Sequence, residues 1–165
     1  MGYPTGLMAG VHILHVEDDP DDVFLVWRTF QRVRPQWAVH SVRDAGQAMD
    51  YLLGANHYAD RGRYPAPDLM LLDLQLASGN GFDLLAWMRR QAQFCALPVV
   101  VLSGSILEDD ERCALELGAT AFFAKSPLFT DCVEFILRLL AAPPCESVSQ
   151  PALRAEAGTI QLNHG

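Results

Sequence analysis

Lysine is almost missing from this chain: one occurs, Lys125, beside eleven arginines. The cationic residues number 12 against 20 acids, for a formal net charge of −8, and no segment masses them. Neutralising a nucleic-acid backbone or an anionic membrane surface is therefore not expected. No apolar run approaches the roughly 20 residues that cross a bilayer. The opening "MGYPTGLMAG" lacks the basic start and long apolar stretch of a signal peptide. Gly6 stands where a myristoylation signal needs Ser or Thr. Cysteine is sparse, and Cys95, Cys113, Cys132 and Cys145 form no CxxC pair or metal-ligand spacing. Three of them sit in apolar surroundings and are expected as small core residues. A reducing cytoplasm fits that usage, and a soluble cytoplasmic protein is the expectation.

What the chain has is enough apolar material for one domain: half of 165 residues, without low-complexity tracts. Short apolar runs alternate with helix-period segments. Strands are predicted at 11–16, 36–42, 69–74, 97–103 and 120–124. Helices are predicted at 20–33, 44–53, 81–91, 105–117 and 130–142. Asp19 followed by Pro20 reads as a helix start, as does Asp44. Ser105 and Glu108 have capping-box spacing, and Gly118 closes that helix. Five strand–helix repeats predict an α/β fold, a parallel sheet with helices on both faces and right-handed crossovers. Residues 1–10 read as an extension, 11–142 as the domain and 143–165 as a polar tail or arm.

In such a sheet ligands bind at the carboxyl ends of the strands. Those ends carry Glu17 and Asp18, Asp73, Ser103 and Lys125, so the polar groups that interrupt apolar strands fall on one rim. Carboxylates brought together need a counter-charge. Mg²⁺ takes one or two of them with waters and a phosphate oxygen. A lysine is a compact, mobile point charge, suited to crowded phosphoryl oxygens where an arginine fork is not. Asp21 and Asp22 read as acids complementing a helix dipole, and Asp19 is compatible with either role. His12, His15, His40 and His57 share no ligand spacing. Trp27, Trp37 and Trp87 read as packing residues.

The stretches "ILHVEDDPDD", "PDLMLLDLQL", "PVVVLSGS" and "GATAFFAKS" resemble the receiver domain of two-component response regulators. The intervals of 30 residues from Asp73 to Ser103 and 22 from Ser103 to Lys125 are similar to the family's. The resemblance spans about residues 11–142. It implies a flavodoxin-like sheet of strand order 2-1-3-4-5, with Asp73 as phosphoacceptor. Glu17, Asp18, Asp73 and the Gln75 backbone carbonyl would hold Mg²⁺. Ser103 would be the switch hydroxyl, Lys125 the phosphoryl-binding lysine, and Phe122 the aromatic switch. Ser126 stands where the family has proline, and Phe122 lacks the hydroxyl of a tyrosine switch. The loop 54–67, with "YADRGRYPAPD", is similar to single-domain receivers that serve phytochrome-type histidine kinases. The partners implied are a sensor histidine kinase and a second copy of the chain. The fifth helix and the tail are the candidate dimer contacts. Helix four, strand five and helix five would form the output surface.

Three other readings compete. A phosphohydrolase of the haloacid dehalogenase type shares a strand-end Asp, a Ser, a Lys and Mg²⁺, but wants a second Asp where Gln75 stands. A flavodoxin-like FMN binder would need hydroxyls and N–H groups after the first strand, where "EDDPDD" places five acids in six residues. A receiver-fold interaction module without phosphorylation would not need the acid, hydroxyl and lysine set.

Overall fold

The computed structural model describes residues 10–104, 107–126 and 129–141. Its strands are β1 (His12–Val16), β2 (Ala38–Val42), β3 (Leu69–Leu72), β4 (Val99–Ser103) and β5 (Ala121–Ala124). Its helices are α1 (Pro20–Val33), α2 (Ala45–Leu53), α3 (Gly81–Arg90), α4 (Glu108–Glu116) and α5 (Thr130–Ala141). The strands form one parallel sheet in the order β2-β1-β3-β4-β5, the order expected. Two apolar layers cover it. Leu14, Val16, Met70 and Leu72 join α2 and α3 on one face, and Ile13, Leu69 and Leu71 join α1 and α5 on the other. That two-sided burial is why β3 and β4 are unbroken apolar runs.

Helix starts follow local chemistry. The Asp19 side chain accepts from the Asp21 N–H at 2.8 Å, and Pro20 occupies the first helical position. Asp44 caps α2 through the Gln47 N–H at 2.8 Å, and left-handed Gly54 ends it. Arg61 closes the long loop after α2, donating to the Tyr51, Leu52 and Tyr64 carbonyls. Within that loop a 3-10 turn spans Asn56–Tyr58.

Several expectations are corrected. β4 starts at Val99 rather than 97, since Pro98 has no N–H for the ladder. β3 ends at Leu72, so Asp73 and Leu74 belong to the turn after it. α4 starts at Glu108, with extended Leu107 before it and no side-chain cap. Glu108 is thus the first helical residue of α4, and the capping box expected from Ser105 to Glu108 involves a residue outside the described ones. Ser105, Cys145, residues 1–9 and the tail 143–165 lie outside the described residues. Of the other cysteines only Cys132 is buried. Cys95 follows α3, and Cys113 faces solvent on a helix whose buried residue is Ala114. No peptide bond among the described residues is cis, that between Lys125 and Ser126 included.

Candidate functional site

The parallel ladder runs on past the strand ends and brings the rim residues into register. The Glu17 N–H bonds the Val42 carbonyl at 2.9 Å, the Asp73 N–H that of Val16 at 3.0 Å, and the Lys125 N–H that of Ser103 at 2.8 Å. Backbone pairing therefore fixes where each side chain begins. The turn after Asp73 folds back tightly onto α3. A Cβ on Gly81 would lie 2.6 Å from both the Asp73 carbonyl oxygen and the Leu74 Cα, so glycine is required by this approach.

Lys125 Nζ is the hub. It lies 2.7 Å from Glu17 Oε2, 2.7 Å from Asp22 Oδ2 and 2.8 Å from Asp73 Oδ2. Glu17, Asp73 and Ser103 are buried, and Asp18 is half-buried. Burial alone would lower the lysine's pKa, but the adjacent carboxylates of Asp22, Asp73 and Glu17 outweigh it and raise the pKa above the ordinary range. Burial pushes the Glu17 carboxyl up against the opposing pull of Lys125. The other oxygens are held by backbone: Asp73 Oδ1 accepts from the Gln75 N–H at 3.0 Å, and Glu17 Oε1 from the Asp19 N–H at 3.1 Å.

The carboxylates suit a hard divalent cation. Glu17, Asp18 and Asp73 each offer an oxygen, all within 4.8 Å of one another. Glu17 Oε2 is buried in ion contact with Lys125 yet accepts no hydrogen bond. An under-satisfied buried carboxylate oxygen fits a cation's demand for oxygen ligands. A cleft of about 460 Å³ is lined by Glu17 and Asp18, though not Asp73, together with Phe24, Trp27 and Arg43. A larger cleft of about 680 Å³ between α1 and α5 contains none of them, so volume alone does not mark the site.

The expected residues Glu17, Asp18, Asp73, Ser103 and Lys125 do converge on one rim. Gln75 follows Asp73 as an exposed residue, and Phe122 lies half-buried on β5 against the α2–α3 core. One residue differs from expectation. Asp22 does more than complement the helix dipole, because its carboxylate reaches Lys125. Its partner lies 103 positions away, beyond any local pattern. His15 is fully buried, with neither ring nitrogen hydrogen-bonded. Burial first, then Lys125, depresses its pKa to about 3. A polar residue within "ILHV" was the available signal.

The Response regulator receiver domain model matches residues 13–135. The chain is 33% identical over 119 residues to the probable methanogenesis regulatory protein FilR2 of Methanothrix harundinacea, covering 72% of this chain and 74% of that one. It is 32% identical over 124 residues to the response regulator Rcp1 of Synechocystis, covering 75% and 82% respectively. The crystal structure of the phosphorylated cyanobacterial phytochrome response regulator RcpA aligns with a TM-score of 0.73 at 33% identity, over 82% of this chain and 99% of that one. The Mn²⁺-bound form of Rcp1 aligns at 0.67 with 30% identity, over 86% and 99%.

Proposed function

We propose that this chain, which belongs to the response regulator receiver domain family, takes a phosphoryl group from a sensor histidine kinase onto Asp73. An oxygen of the Asp73 carboxylate attacks phosphorus. The bond between phosphorus and the donor imidazole nitrogen breaks as the new oxygen–phosphorus bond forms, leaving an acyl phosphate and a free imidazole. Glu17, Asp18, Asp73 and the backbone carbonyl of Gln75 would hold Mg²⁺, which supplies neutralising charge where the phosphoryl oxygens gather. Lys125 binds one of those oxygens from the side of Asp73 that it already occupies. Ser103, at the end of β4, takes another, and its inward movement makes room for Phe122 to turn. The new charge of about −2 is the signal. The protein acts as a signalling phosphoacceptor and not as an enzyme that turns over a separate substrate.

The single observation that carries this reading is the 2.8 Å contact between Lys125 Nζ and Asp73 Oδ2, flanked by the carboxylates of Glu17 and Asp22. It puts the one lysine of the chain beside the acceptor carboxylate. Residues 11–142 form the receiver, and the signal leaves by contact with other proteins, including a second copy of this chain. The similarity to RcpA, a cyanobacterial phytochrome response regulator, supports a phytochrome-type kinase as donor. Acetyl phosphate with Mg²⁺ should add one phosphoryl group to the intact mass, and chelating the metal should prevent it. An equal increment in the Asp73→Asn variant would refute the assignment.

A further inference from the structure

The receiver reading uses Lys125 together with Glu17, Asp18 and Asp73. The structure adds a carboxylate from another element. Asp22, in the first turn of α1, brings Oδ2 to 2.7 Å from Lys125 Nζ and is less than one-third exposed. An ammonium has three N–H donors, and three carboxylates surround this one. The three are not equivalent. Nζ donates hydrogen bonds to Asp22 and Asp73, whereas Glu17 Oε2 has only the ion contact. Glu17 and Asp73 also belong with Asp18 to the group of oxygens that fits a cation, and Asp22 does not.

An ammonium and a divalent cation thus contend for the same two carboxylates, Glu17 and Asp73. Like charges crowded there repel. Lysine's flexible stem lets the ammonium shift by a bond rotation, provided that an acceptor waits for it. Asp22 is such an acceptor: it is already hydrogen-bonded, it stands outside the cation's oxygens, and α1 fixes its backbone through the Asp19 cap.

We propose that Asp22 is a positioning residue that retains Lys125 when a divalent cation takes Glu17 and Asp73. The ammonium then stays beside the acceptor without occupying the cation's ligands. This rests on the metal-assisted reading given above. If Asp22 is lost, Lys125 is left on Glu17 and Asp73 alone, and an entering cation must displace it from both. Asp22 therefore acts on the cation through Lys125.

A double-mutant cycle separates that from a direct effect of the Asp22 charge. The wild type, Asp22→Asn, Lys125→Ala and the double variant are titrated with Mn²⁺ alone, reading the free ion by electron paramagnetic resonance. Mg²⁺ is then added as competitor. Asp22→Asn should weaken binding about tenfold when Lys125 is present and less than about twofold when it is replaced. Asp22→Glu, which keeps the charge, should recover most of the loss, and urea midpoints report whether each variant is folded. Equal weakening in both backgrounds, or no change in either, would overturn the proposal while leaving the metal site standing. A wild-type chain that binds neither ion would overturn the metal reading and this inference together.

Discussion

The two flanks of the site are built from similar sequence and behave differently. On one flank α1 opens within "EDDPDD", and on the other α4 opens with Glu108, Asp109, Asp110 and Glu111. Both starts are acidic, as the helix dipole favours. α1 is then fixed by the Asp19 cap, by buried Val26 and Phe30, by Phe30 stacking on Trp37, and by Asp22 on Lys125. α4 has no side-chain cap and buries only Ala114. Its ion pair between Arg112 and Asp109 is largely exposed to solvent, where such pairs contribute little. Its other end is held: Arg89 donates twice to the Gly118 carbonyl, and the same guanidinium reaches the carbonyls of Phe94, Cys95 and Leu97. Acid at a helix start thus says little about anchoring, and burial decides it. The α1 flank is the more deeply buried wall of the site and α4 the less buried one.

The largest expected effect that would test this contrast concerns pH. By strand alternation His15 shares the face of Ile13, which packs on the α1 side. Its folded pKa of about 3 lies below the unfolded value of about 6.5. The folded state therefore binds its proton less readily, and stability falls as pH drops from 6.5 towards 3. That linkage is worth roughly 4–5 kcal/mol over the whole window. Urea unfolding at pH 7 and pH 4 should show a drop in wild type that His15→Leu reduces. An identical drop in both would show that the α1 flank is not so desolvated.

Next in size are the helix anchors. Phe30→Ala should cost about 3–5 kcal/mol by leaving a cavity under α1. Ala114→Gly in α4 should cost about 1 kcal/mol. Equal losses in chemical denaturation would erase the distinction. The smallest pair sharpens it at the helix ends: Asp19→Ala should cost about 1 kcal/mol by removing a cap, and Arg112→Ala less than about 0.5 kcal/mol.

Much of the fold was legible because its signals are local. Five apolar runs alternating with helical periods require a covered parallel sheet, and Asp19–Pro20 marked the start of α1. The convergence of Glu17, Asp73, Ser103 and Lys125 followed from a rule about strand ends. Strand order came from resemblance, since alternation alone does not order strands. The errors were where neighbours far along the chain decide. Cys95 and Cys113 look apolar in sequence, but the first lies in a turn and the second on the outer face of α4. The fourth helix was expected from 105 and begins at Glu108. Asp22 has nothing local to distinguish it from Asp21, and only the fold brings Lys125 to it.

The central claim is that Asp73, and no other acid of the rim, carries the phosphoryl group. Borohydride reduces an acyl phosphate to the alcohol, turning a phosphorylated aspartate into homoserine. After treatment with acetyl phosphate and Mg²⁺, peptide mapping should find homoserine at position 73 alone. Homoserine at position 18 or 22 with Asp73 intact would contradict the account.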